Sequence, residues 1–405
     1  MSLTTFEANS VRRAWQTMIN PATQKGAASF WLLVIVFLAG VISLVYGLSN
    51  DAARPDFALL TVSYLFLLGI SQVGVVFTAV LRLVRADWGK PWYRIAELST
   101  LAYFPIAMLG FVLIFVYARN DLFYWLNASP EDHLSPWLNI KWLFIRDMGS
   151  LLLFYGLAAV YVRKSLRQDM ARDDSTSSTD HDVAEDQLYR FSPIIIGGFI
   201  LCNTLISWDF AMMLIPHWHS TVFPIHYWFG NVFAGTAAMI AIVPVMRRVD
   251  GGRHFGPYQI KSLGMMVTGF TLLWLYFFWA QFFVIWFGNL PQESEPIWRQ
   301  MYGHYSPYFW TMIAGCFFVP FAALLFAIVK RSVTAMCIIA FGINLGIWIN
   351  KYLMIVPVFS PDHQPFDHWI DITLALGLMA GFLLTVIILA KRLPMYSTWE
   401  MNRES

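Results

Sequence analysis

The sequence predicts an all-α integral membrane protein of about ten transmembrane helices with both termini in the cytoplasm. Three observations carry this reading. The 405 residues are 58% hydrophobic and only 13% charged, whereas soluble domains carry roughly 25% charged residues. Apolar runs of roughly 20 residues, long enough to cross a bilayer, recur ten times along the chain. Finally, 21 of the 27 lysines and arginines fall on the segments that would lie on the same side as the amino terminus, and such a bias marks the cytoplasmic side.

The elements follow in order. Residues 1–29 are polar, carry Arg12, Arg13 and Lys25, and form a cytoplasmic segment with no cleavable signal pattern. The first four spans are expected at about 30–49, 58–81, 98–118 and 143–162. No water reaches the hydrocarbon core, so every backbone polar group there needs an internal partner and each run must be a helix. Arg82, Arg85, Lys90 and Arg94 lie between the second and third spans on the cytoplasmic side, and Arg163, Lys164 and Arg167 follow the fourth. The stretch 168–190 is rich in Ser, Thr and Asp, cannot bury a core, and reads as a flexible cytoplasmic linker. It separates helices 1–4 (30–167) from helices 5–10 (191–390), which are expected at about 191–207, 222–246, 260–288, 306–329, 332–357 and 368–390. Pro105, Pro244 and Pro320 fall inside spans, where neighbouring helices satisfy the freed carbonyls. The seventh span ends abruptly in Gly288, Asn289, Leu290 and Pro291, residue types that stop a helix. Residues 391–405 form a cytoplasmic tail. No internal repeat is evident.

The opposite, periplasmic side carries the unusual chemistry. His133, His217, His219, His304, His363 and His368 fall there, with His226 just inside the sixth span, among tryptophans that include Trp125, Trp137, Trp142, Trp208, Trp218, Trp228, Trp286, Trp298 and Trp369. An interfacial aromatic belt explains many of these. Histidine also changes charge near neutral pH, which suits an interface with a redox or proton-handling partner. Ionisable residues in or beside spans are few: Arg146 and Asp147 open the fourth, Asp209 closes the fifth, Lys351 lies in the ninth and Asp371 in the first turns of the tenth. Intramembrane charges face bundle interiors and mark ion or proton routes, or else pair to clamp helices; Arg146–Asp371 and Lys351–Asp209 are two pairings the spacing permits. Glu97, Gln72, Asn203, Gln281 and Asn344 extend a polar path inward, each with an interhelical hydrogen bond as the plainer reading.

Other chemistries are excluded on pattern. A membrane haem protein needs axial histidines at bilayer depth, and only His226 lies clearly within a span. There is no phosphate-binding glycine loop, no HExxH and no nucleophile elbow. Cys202, Cys316 and Cys337 lie in apolar segments without metal-type spacing and read as small core residues. The chain is expected to bind no metal or haem itself, with a quinone as the one candidate ligand.

Four stretches share a pattern: LNIKWLFIR (138–146), SWDFAMMLIPHWHSTVF (207–223), WAQFFVIWFGNLPQES (279–294) and NKYLMIVP (350–357). Together they resemble the NrfD-like membrane subunits, most closely the second such subunit of alternative complex III, a bacterial quinol:electron-acceptor oxidoreductase. The resemblance implies two four-helix bundles, spans two to five and six to nine, with the first and tenth packed outside. It implies a bacterial cytoplasmic membrane location. The implied partners are a homologous quinol-binding membrane subunit, multihaem and monohaem cytochrome c subunits, an iron–sulfur subunit and small membrane subunits. Haem c and iron–sulfur clusters would therefore lie in the partners. The polar positions that match are Asn139, Arg146, Asp209, His217, Trp218, Gln281, Asn289, Lys351 and Tyr352. The sequence departs from the pattern at Ile215, where an acidic residue is common, and at His219, which replaces an aromatic one. His217, His219 or Asp209 would then substitute in proton acceptance.

The resulting expectation is a membrane subunit supporting quinol oxidation in a respiratory or photosynthetic complex, with a proton half-channel. Its path would start near Glu97 and Arg82, pass Gln72 or Asn344, and reach Arg146, Asp147, Asp209, His226, Lys351 and Asp371. The alternative within the family is a direct quinone site at His217, Trp218 and His219. A secondary transporter is the alternative of another class; transporters are commonly built from repeats with broken helices.

Overall fold

Length and apolarity alone make ten helices of this chain competent to cross a membrane, and the computed structural model shows how their faces sort. It describes residues 24–50, 56–127, 135–170, 178–216, 218–250, 252–360 and 362–401. The spans are α1 (Ala28–Ser49), α2 (Phe57–Leu83), α3 (Asp87–Leu122), α4 (Ile140–Arg167), α5 (Asp182–Leu214), α6 (Phe223–Arg248), α7 (Pro257–Gly288), α8 (Gly303–Leu324), α9 (Val333–Val358) and α10 (Trp369–Arg392). Among the described residues there is no strand. The protein is an all-α, multi-pass membrane protein.

Helix contacts close into two rings. In the first bundle α2 packs on α3, α3 on α4, α4 on α5 and α5 back on α2; in the second, α6, α7, α8 and α9 close the same way. The bundles meet where α2 lies on α6 and α9, and α5 on α6. The outer helices α1 and α10 pack on each other, and α10 seats the pair against α3 and α2. Burial follows this plan: the apolar window of α2 is 89% buried within the chain, those of α1 and α7 only 11% and 17%. Thus α2 is the hub, while α1 and α7 turn most of their apolar surface outward. The α1–α10 pair depends on Gly40 and Gly377, because a Cβ on either would come within 2.8 Å of the other's Cα. Small residues at such crossings allow backbones to approach where no hydrophobic effect drives helices together. Ser43 and Thr373 share a 2.8 Å hydroxyl hydrogen bond one turn away.

The seventh span ends as its sequence requires. Asn289 takes the left-handed conformation (φ 47°) and its N–H donates to the carbonyl of Ile285, a left-handed C-terminal cap. Leu290 then turns the chain into a short surface helix, Pro291–Met301, with proline in its first turn.

Three expectations are corrected. The third span begins well before residue 98: its helix starts at Lys90, because Arg94 and Glu97 are neutralised by partners within the fold. Of the flexible linker placed at 168–190, residues 168–170 and 178–190 are helical, and 171–177 lie outside the described residues. The helix of α4 runs on to Met170 and that of α5 starts at Ser178, with Asp186 and Arg190 paired one turn apart on the polar extension. The segment after Arg392, expected only as a cytoplasmic tail, packs on the fold, with Met395, Tyr396, Ser397, Trp399 and Glu400 all buried, and residues 402–405 lie outside the described residues. In addition α8 stops at Leu324, short of the expected 329, and a separate turn of helix, Ala327–Arg331, carries the basic residues.

Candidate functional site

A column of buried polar groups runs along the first bundle. At the end where α2 finishes and α3 begins, here called the basic end, Arg82 and Arg94 are almost wholly buried. Arg82 pairs with Glu97 (2.8 Å) and with Glu400 (2.9 Å), and Arg94 pairs with Glu97 (2.8 Å) and Asp169. The hydroxyl of Ser165 accepts from both guanidinia. Tyr93 and Tyr161 present ring faces to the Arg82 guanidinium at 4.7 and 5.2 Å, an arrangement that favours a desolvated cation.

Midway, hydroxyls and amides continue the column. Thr100 donates to the carbonyl of Ser71 (2.6 Å), and the Ser71 hydroxyl lies 3.2 Å from that of Tyr155. Three amides then form a chain across three helices: Asn231 of α6 donates to Asn203 of α5, which donates to Gln72 of α2, each at 2.8 Å. Gly69 makes this possible, since a Cβ there would lie 2.4 Å from the Asn231 amide carbon. Gln72 and Ser150 both donate to the Cys202 sulfur at 3.6 Å.

The column ends at paired acids. Asp209 is held by a two-pronged interaction with Arg146 and by the Trp137 indole N–H at 3.0 Å. Arg146 also donates to the Trp137 carbonyl (2.8 Å) and lies 4.2 Å above that ring. Such fork-to-fork pairing combines charge with fixed geometry. Asp147, the next residue on α4, is fully buried, and neither carboxyl oxygen has a hydrogen-bond donor among the described residues. It lies within interaction range of Asp209. A buried carboxyl without a donor is costly as an anion.

The other expected residues lie elsewhere. His226 is buried in the second bundle beside Trp274 and Phe278, and its Nδ1 has no partner. With Gln281, Asn350 and Trp218 it lines a cavity of about 40 Å³, room for a few waters and far below the 300–1,000 Å³ typical of organic ligand pockets. Trp218 donates to the carbonyl of Glu293, and His219 is exposed; His217 lies outside the described residues. The expected pairings are also corrected. Arg146 takes Asp209 rather than Asp371, and Lys351 has no carboxylate within pairing distance among the described residues but stands 3.4 Å from the centre of the Tyr227 ring at the seam of the bundles. Asp371 instead accepts from the backbone N–H of Asp56 at 3.1 Å. Asn344 donates to the carbonyl of Ala340 and leads nowhere.

Sequence reasoning passed over Asp56, Asp169 and Glu400. Asp56 caps α2, accepting from the N–H groups of Ala58 and Leu59, and its carboxylate lies 2.6 Å from His363, which in turn meets the Tyr352 hydroxyl at 3.0 Å. Asp56 and His363, with Asp362, Asp367, His368 and Asp371, line a hollow of about 500 Å³ at the histidine-rich end. Asp56 directly before an apolar run is a recognisable capping signal. Asp169 and Glu400 gave no signal, because the local polarity of both segments reads as solvent exposure.

A protein-family model described as "Polysulphide reductase, NrfD" matches residues 47–360. Those limits take in α2 to α9, which are the two bundles, and leave α10 and nearly all of α1 outside. No curated protein matches the chain.

Proposed function

The chain belongs to the polysulphide reductase NrfD family, and from that premise we propose that it is the second NrfD-like subunit of an alternative complex III, conducting protons part-way across the membrane while partner subunits oxidise quinol. The observation that carries the reading is the buried polar column of the first bundle, ending at Asp147 without a donor beside the Arg146–Asp209 pair. Fold alone would not support it, since one fold serves many functions.

Protons enter at the Glu97 cluster on the basic, cytoplasmic side and pass the Ser71–Tyr155 hydroxyls and the Gln72–Asn203–Asn231 amides, with waters between them. They reach Asp147. A charge appearing in a neighbouring redox subunit shifts Arg146 along its contacts with Trp137 and Asp209, and Asp209 then takes the proton. His226, Lys351 and Asp371 stand apart from this column and are not assigned to it. The histidine-rich side is periplasmic in this reading and faces cytochrome c and iron–sulfur subunits, with a homologous membrane subunit binding the quinol. The small cavity at Trp218 and His226 gives the direct quinone alternative no support.

The test uses the purified complex in proteoliposomes. D147N and D209N are each expected to lower the number of protons moved per electron while quinol oxidation continues, and D371N to leave it unchanged. An unaltered stoichiometry in both D147N and D209N overturns the proposal.

A further inference from the structure

The carboxyl-terminal segment is built into the fold in a way a tail is not. After Arg392 the chain is extended at Leu393, turns, and forms a single helical turn, Thr398–Met401, lying on α3 and α4. Trp399 donates its backbone N–H to Asp169 (3.2 Å), and Glu400 accepts from Arg82 at 2.9 and 3.2 Å. Tyr396 packs 5.4 Å from His254 and 6.5 Å from Phe255 in the connection between α6 and α7. Phe255 in turn sets its edge on Trp92 of α3 at 4.8 Å. A few residues thus bridge the two bundles across the basic end and cover the cluster that contains Glu97.

We infer that residues 395–401 are a removable plug, with Glu400 as the positioning residue that locks it over the basic mouth of the first bundle. The ionised side chains joined directly here are two guanidinia, Arg82 and Arg94, and three carboxylates, Glu97, Asp169 and Glu400. Apart from Glu400, Arg82 is paired with Glu97 alone among the described residues, and Glu97 is shared with Arg94. Docking adds a carboxylate that competes with Glu97 for Arg82 and removes the mouth from water. A single residue therefore both closes the mouth and loosens the hold of Arg82 on Glu97. Burial of Trp399 and Tyr396 supplies apolar stabilisation, and the Glu400–Arg82 bond supplies register, because a charged hydrogen bond fixes direction as well as distance. The plug would be released when Arg82 is drawn fully to Glu97.

This inference rests on the proton-uptake reading only for its consequence, not for its structure, and the experiment separates the two. Ser397 is fully buried and its hydroxyl has no partner, so S397C places a thiol under the docked segment without removing a bond. In membrane vesicles exposing the basic end of the intact complex, a membrane-impermeant maleimide should label S397C slowly. Adding E400Q should speed labelling at least tenfold, and E400D, which keeps the charge, should restore most of the protection. The same complex without S397C gives the background from the native cysteines. Rapid labelling of S397C alone overturns the inference, as does equal protection with and without E400Q. Resting proton leak in proteoliposomes provides the second readout. A several-fold rise with E400Q supports both readings. Release of the thiol with no change in leak upholds the plug and overturns proton uptake at Glu97.

Discussion

Single residues decide where charge can exist in this molecule. Asp209 is buried and accepts from three donors, two from Arg146 and one from Trp137. Removing one partner of a buried ion pair leaves an uncompensated charge and costs about 3–5 kcal/mol. R146Q is therefore expected to lower the thermal unfolding midpoint of the detergent-solubilised chain markedly, and R146Q/D209N to recover much of the loss. A double variant no more stable than R146Q would show that the pair is not the source. Lysine at 146 would not be conservative, because an ammonium cannot make the two-pronged contact. Lys351 illustrates the opposite solution: a buried amine placed on the face of Tyr227 rather than on a carboxylate.

Helices here are positioned by small residues as much as by large ones. Gly69 on α2 gives the Asn231 amide its place against the hub, and with it the amide chain through Asn203 to Gln72. G69V is expected to push α6 outward and cost about 1–3 kcal/mol by overpacking, with a lower unfolding midpoint and looser seam between the bundles. Unchanged stability would mean that the close approach is not needed. Much of this level is legible in the sequence. Helix ends at Asn289 and Asp56 announce themselves through residue type, and each span is within reach of its expected limits except α3, the polar ends of α4 and α5, and the early stop of α8. The exceptions at α3 and the end of α4 share one cause. Hydropathy counts Arg94, Glu97 and Asp169 as exposed charge, while the fold buries them against each other.

For the whole molecule, ten alternating spans place the ends of α1 and α10 that face the termini on one side, opposite the histidine-rich end. An impermeant maleimide should reach H219C, at an exposed position, only from the side opposite to that which reaches S397C in the E400Q background. Labelling of both from one side would refute the alternation. The sequence by itself determined that this is a ten-span membrane protein, its charge bias, and which polar residues sit at membrane depth, because a bilayer is a one-dimensional filter that length and hydropathy can read. The two rings of helices entered only through family resemblance. Tertiary structure alone decided that Arg146 meets Asp209 and not Asp371, that Lys351 meets a ring, and that Glu400 returns to Arg82 across more than three hundred residues of chain. The physical reason is that depth in the membrane is written locally, whereas the neighbour at that depth is set by which helices share a bundle.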